Sequence, residues 1–325
     1  MRARDPIILA AVVACLLALP LIGDRWSIQL ATEMLILGLF AISFNLLLGY
    51  GGLVSFGHAA FFAIGGYACV ILMTTLKWPL AAAFPAAMGL AAVAALVIGT
   101  FCVRLTEIYF AMLTLAFAQF VWAIAFKWNV VTGGDNGFLG IALPDWARET
   151  TPFYYFTIAV VAALSAVLWL IVRSAFGAIL VATRENPMRA GFVGIPVTRV
   201  QLVAFVISGC FSGAAGALYA MFKQSMFPDT AWWTRSADVL IMTILGGIYS
   251  FLGPFLGAGV LVLLNRMTAQ YTVYWPTMLG LILLLFLFFF PSGLIGLIDK
   301  DARHAPADGP LAILRRLRRG PQRQP

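Results

Sequence analysis

Residues 28–76 read IQLATEMLILGLFAISFNLLLGYGGLVSFGHAAFFAIGGYACVILMTTL. Glu33 is the one formally charged residue of this stretch. A helix crossing a bilayer needs about 20 apolar residues. The stretch supplies two such runs, 28–49 and 53–76, with glycines between them. Hydrocarbon offers no partner for a backbone N–H or C=O, so each run must close its own hydrogen bonds as a helix. The rest of the chain has the same character. Of 325 residues, 62% are hydrophobic and 10% charged, where a soluble domain carries about 25% charged residues. Lipid is therefore the solvent for most of this polypeptide.

Working outward, apolar runs place further spans at 6–23, 79–102, 108–127, 153–173, 200–222, 237–250, 251–268 and 272–290. The predicted fold class is all-α: a polytopic transmembrane helix bundle of about ten spans with broken or re-entrant helices. Gly246-Gly247 and Gly253-Pro254 interrupt the eighth and ninth spans, and the eighth is short for a full crossing. The first run, after Met1-Arg2-Ala3-Arg4, resembles a secretory signal but lacks an A-x-A site, so it reads as an uncleaved span. Two segments echo each other, Leu48–Gly57 and Leu245–Gly253, which suggests an internal repeat. The domain reading is a transmembrane domain over 1–298 and a basic cytoplasmic tail over 299–325. In the tail, Leu311, Ile313, Leu314 and Leu317 interleave with Arg315, Arg316, Arg318 and Arg319, a pattern open to either an interfacial helix or disorder.

The net charge is +8. In a soluble chain that would point to nucleic acid. Here the basic residues flank apolar runs and fill the tail, which points to anionic lipid instead. Alternating the sides of successive spans puts most Lys and Arg on the side of the 174–199 loop and the tail. Both termini are therefore expected in the cytoplasm. Cys15, Cys69, Cys102 and Cys210 lie inside apolar runs without CxxC spacing and read as small packing residues.

Several motifs stand out. Gly49–Tyr67, GYGGLVSFGHAAFFAIGGY, holds six glycines. With Asn45, Ser55, Gly57 and His58 it reads either as a helix break lining a pathway or as close packing through small residues. Ser208–Gly216 and Gly253–Gly257 each contain GxxxG and read as tight helix packing. Glu33 should face protein or water, as a structural acid rather than a proton-coupling one. Gly133, Gly134, Asp135, Asn136 and Gly137 form a compact turn in an outer loop, 128–152, with docking an external partner or shaping the outer mouth as the sharper reading. In the 174–199 loop a helix is expected from Phe176 to about Glu185, interrupted near Pro187. A further turn carries Met188, Arg189 and Phe192. Apolar knobs flanked by Arg184, Glu185, Asn186, Pro187 and Arg189 suit docking into a polar-rimmed groove. The sequence holds no P-loop, HExxH or GxSxG pattern, no metal-ligand cluster and only two histidines. The chain is read as a non-catalytic subunit with no cofactor.

Five of these blocks together resemble the LivM-type permease of branched-chain amino acid ABC importers. They are Gly49–Tyr67, 132–137, ATRENPMRAGFVGI at 182–195, SGCFSGAAGALYA at 208–220 and LGGIYSFLGPFLGA at 245–258. The likeness runs to about Gly296 and excludes the tail. It implies a permease subunit in a bacterial inner membrane, moving branched-chain amino acids or related small solutes. The implied partners are a second, LivH-like permease, two cytoplasmic ATPase subunits and a periplasmic amino-acid-binding protein. By the same likeness, 176–192 is the segment that couples to the ATPase. The alternative is a stand-alone channel or secondary transporter for a small neutral solute.

Overall fold

The computed structural model describes residues 16–20, 23–141 and 143–271, with isolated positions 277, 280, 281, 284, 293 and 294 beyond them. The expected first span is described only in part, the last span only at isolated positions, and the basic tail lies outside the described residues. Where the chain is described it is overwhelmingly helical. The long elements are α1 (Arg25–Asn45), α2 (His58–Thr74), α3 (Leu80–Cys102), α4 (Glu107–Lys127), α7 (Thr150–Arg173), α10 (Val197–Lys223), α11 (Trp233–Gly246) and α12 (Gly253–Tyr271). Short helices α5 (Asn129–Thr132), α6 (Asp145–Arg148), α8 (Ala175–Glu185) and α9 (Pro187–Phe192) lie between them. Among the described residues, five helices are long and apolar enough to cross a membrane: 25–50, 80–102, 108–127, 150–173 and 197–223.

The core is built on α10, which packs chiefly against α2, α3 and α1. Small side chains set that contact. A Cβ on Gly65 of α2 would sit 2.1 Å from the Gly213 carbonyl oxygen of α10, and one on Gly216 would sit 1.8 Å from the Phe62 oxygen. On α3, Ala83, Ala87, Ala91 and Ala95 recur every fourth residue and are fully buried. Ala91 and Ala95 face Gly213 and Gly209. Small residues let backbones approach, and dispersion and packing hold helices together where lipid removes the hydrophobic driving force. Both GxxxG motifs therefore serve this chain's own bundle. The second brings Gly257 of α12 onto Met242 of α11, folding the two into a hairpin. Elsewhere the fold exposes large apolar residues, such as Ile108, Tyr109 and Met112 on α4 and Leu170 on α7, as lipid-facing helices should.

Two expectations need correction. The run 53–76 is not one helix. After α1 comes a π-helical turn, Leu46–Tyr50, and then non-helical chain until α2 begins at His58. The cause is local: Gly52 takes a positive φ of 70°, which ends the helix at no Cβ cost. Several of the freed amides have named acceptors. Gly52 and Leu53 donate to Leu48 and Leu47 carbonyls. Phe56 donates to Thr114 Oγ1 at 3.1 Å, Gly57 to Ser55 Oγ at 3.2 Å and Ala59 to Ser236 Oγ at 3.0 Å. Such chain is tolerated at membrane depth only when protein satisfies it. The second correction concerns 128–152, which is largely structured. It carries α5, a 3₁₀ turn at Gly134–Asn136, strand β1 (Phe138–Leu139) and α6, and α7 starts at Thr150. Strand β1 pairs antiparallel with β2 (Ser225–Met226), Phe138 opposite Met226, which ties this segment to the end of α10. The Gly133, Gly134 and Gly137 turn uses φ of 78°, 58° and 65°, the left-handed geometry glycine permits. Asp135 and Asn136 are exposed at its tip.

Candidate functional site

Two helix breaks meet inside the bundle. The first is 51–57. The second is 247–252, between α11 and α12, where Gly247 has φ 113°. These are the segments whose sequences echo each other. Asn45 Nδ2, one turn before the first break, donates to the Ser250 carbonyl of the second at 3.0 Å. Gly49 lies so close that a Cβ there would stand 2.2 Å from the Ile248 oxygen. Any side chain at 49 would push the breaks apart.

Beside this contact lies a buried polar chain linking α1, α2 and α10. His58 Nε2 is 2.7 Å from Ser208 Oγ, and Ser208 Oγ donates to the Ser43 carbonyl at 2.5 Å. Since that hydroxyl proton is used, the network assigns His58 as the Nε2–H tautomer, donating to Ser208. Ser43 Oγ in turn donates to Phe40 O and lies 2.9 Å from Ser212 Oγ. Phe44, Phe61 and Phe205 ring the imidazole, with centroids 4.8 to 6.1 Å away. His58, Asn45, Ser43, Ser208 and Ser212 are all shut from solvent. Ser55 is buried too, and Gly57 sits against the Thr114 carbonyl. Asn45 Oδ1 and His58 Nδ1 have no hydrogen-bond partner among the described residues. Buried groups left unmatched cost about 1–3 kcal/mol each. The sequence singled out Asn45, Ser55, Gly57 and His58. It gave no sign that Ser43, Ser208, Ser212 and Ser236 belong with them, because a serine in a GxxxG run looks like any other small packing residue.

The α8–α9 segment abuts the same breaks. Its helices fall where the sequence placed them. Asn186 caps α9 by accepting from the Arg189 amide at 2.9 Å, with Pro187 as first helical residue. Arg184 does not point away from the bundle. Its guanidinium donates to the Gly49 carbonyl and to Glu185, its stem covers Gly52, and its Cζ lies 5.4 Å from the centre of the Tyr249 ring. One side chain thus touches both breaks. Arg189 is exposed, and Met188, Phe192 and Val193 are 73%, 84% and 82% exposed.

At the opposite end of α1 and α10, Glu33 is held by Lys223 at 3.0 Å and Arg266 at 2.7 Å. Its carboxylate is ion-paired, which fits the structural role expected of it. Arg235 and Asp238 of α11 stand beside this triad.

Apolar spanning helices, two helix breaks that abut and an amphipathic segment beside them define a multi-pass membrane protein. The chain belongs to the family described as branched-chain amino acid transport system / permease component, whose model matches residues 27–290. It is 28% identical over 319 residues to the high-affinity branched-chain amino acid transport system permease protein LivM of Salmonella typhimurium, and 27% identical to the LivM of Escherichia coli K12. Each match covers 90% of this chain and 75% of the relative. It is also 24% identical over 285 residues to the LivH permease protein of Salmonella typhimurium, covering 79% of this chain and 90% of that one.

Proposed function

We propose that this chain forms one half of the pathway of an ATP-driven importer for branched-chain amino acids or closely related solutes. The other half is a LivH-like permease. Two ATPase subunits sit at the α8–α9 end, in the cytoplasm of a bacterial cell, and a solute-binding protein docks at the Lys223 end. The chain itself performs no chemistry on the solute.

The observation that carries this reading is Arg184. Helix α9 offers Met188, Phe192 and Val193 to a partner, and α8 reaches from there to the Gly49 carbonyl and the Tyr249 ring. Closure of the ATPase pair on ATP displaces α8–α9, and Arg184 carries that displacement to both breaks at once. The breaks then shift against each other, and the sealed region around Asn45 and His58 opens. The nucleotide acts by binding one arrangement better than the other. The exposed Val130 and Leu139, flanking the Gly133–Gly137 turn, offer a surface to the binding protein. Solute selectivity on this reading resides mainly in that binding protein, because the buried pathway residues are small and few.

The test is ATP-dependent uptake of labelled leucine by the five-subunit system in proteoliposomes. Arg184→Ala is expected to cut uptake at least ten-fold while the ATPase subunits still co-purify. Uptake at the wild-type rate, or uptake without any ATPase, would refute the coupling role.

A further inference from the structure

We propose that the half-open pocket lined by α1, α10, α11 and α12 at the Lys223 end binds a zwitterionic α-amino acid with an apolar side chain. The inference rests on the transport reading above and adds a place where the solute is held within this chain.

The cavity measures about 500 Å³, within the roughly 300–1,000 Å³ range of small-molecule sites. It is built in two layers. Helical side chains four apart lie above one another on one face, and three helices repeat the same arrangement. On α1, Glu33 stands above Leu37; on α11, Asp238 above Met242; on α12, Arg266 above Val262. The upper layer is charged. The lower layer is apolar and closed, with Leu37, Met242 and Val262 each 5% exposed or less. An amino acid has the same two-part shape, an ammonium and a carboxylate on one carbon and an apolar branch below.

The charges in the upper layer differ in how fully they are engaged. Glu33 is taken up by Lys223 and Arg266 at 3.0 and 2.7 Å. Arg235 and Asp238 are 4.0 Å apart, with side chains 31% and 37% exposed. That gap is beyond hydrogen-bond reach, so each keeps capacity for another partner. Tyr219 fixes the guanidinium, accepting from Arg235 Nη2 at 3.1 Å. A fixed guanidinium pairs bidentately with a carboxylate, and a carboxylate three residues on takes an ammonium. The ligand's two charged groups would complete the Arg235 and Asp238 pair. Three cations and two acids line the pocket, so an anionic headgroup is the competing occupant; it would pair with Arg235 but leave Asp238 without an ammonium, and an uncharged solute would leave the pair as it stands.

The experiment is equilibrium binding of labelled L-leucine to the full complex of permease, companion permease and ATPases in nanodiscs, without the binding protein. Saturable binding is expected. Leucinol, which lacks the carboxylate, and 4-methylpentanoate, which lacks the ammonium, should each compete at least ten-fold more weakly than leucine. Arg235→Gln and Asp238→Asn should each weaken leucine binding at least ten-fold, with Arg235→Lys falling in between. The competition series needs no variant, so a misfolded mutant does not blunt the test. Absence of saturable binding, equal competition by leucinol, or a bound anionic phospholipid that leucine does not displace would each overturn the site. If the wild-type complex with its binding protein still imports leucine while any of these holds, only the site falls. If it imports no amino acid at all, the transport reading falls with it.

Discussion

Glu33 and His58 are the one carboxylate and the one imidazole in the stretch 28–76, and the bundle places them very differently. His58 sits among three phenylalanines and shares one hydrogen bond with Ser208. Glu33 meets two cations from distant parts of the chain, Lys223 and Arg266. Its carboxylate is 12% exposed and its partners 31% and 39%. Glu33→Gln removes the charge and leaves both cations without it at the edge of the apolar region. Breaking a fully buried pair costs about 3–5 kcal/mol, and exposed pairs give about 0–1 kcal/mol. The half-exposed partners here place the expected loss at about 1–3 kcal/mol, read as a lower unfolding midpoint in detergent. An unchanged midpoint would mean that the triad contributes nothing to the bundle. The acid's need for a partner was legible in the sequence, since hydrocarbon penalises a lone carboxylate. The identity of the partners was not, because Lys223 and Arg266 are about 190 and 230 positions away and read only as residues flanking a span.

Helix existence and length followed from the apolar runs: α3, α4, α7 and α10 lie within about three residues of the spans expected for them, a margin usual for helix ends. The break at 51–57 was harder to read. Glycines serve both unwinding and close packing, and the difference lies in who satisfies the freed amides. Those acceptors, Thr114 and Ser236, come from α4 and α11 and carry no local signature. Close packing does occur a few residues on, at Gly65. Gly65→Ala would force a methyl to 2.1 Å from the Gly213 carbonyl, and backbone cannot yield as a flexible side chain does. We expect a loss of about 1–3 kcal/mol, as for overpacked cores. Gly89→Ala on α3 is the control: nothing lies within 4 Å of its added Cβ, so helix propensity should make it neutral or stabilising by up to about 1 kcal/mol. Equal midpoints for the two variants would contradict the packing described for α2 and α10.

At the scale of the molecule, the pattern of blocks pointed to a family, and the match over 27–290 places the chain in it. Arg184 was read in the sequence as a residue that meets a partner directly. The structure turns it inward, to Gly49 and Tyr249, and leaves Arg189, Met188, Phe192 and Val193 facing out. Sequence could not separate these roles, because a basic residue at a helix end reads alike whether it faces a partner or its own bundle. The proposed function then divides the labour within a dozen residues, with α9 to grip the ATPase and Arg184 to transmit its movement. Arg189→Glu should therefore reduce co-purification of the ATPase subunits several-fold without lowering the amount of permease in the membrane. Wild-type recovery of the ATPase would count against α9 as the gripping element.

Coupling to the ATPase requires α9 on the cytoplasmic side, in contact with that subunit. A chain with its four cysteines replaced and a single cysteine introduced by Phe192→Cys, in cells making the whole importer, measures both at once. A membrane-impermeant maleimide added outside should leave the thiol unmodified, and a short bifunctional reagent on inside-out vesicles should join it to an ATPase subunit. Modification from outside the cell would put α9 on the side away from the ATPase and rule out its docking there.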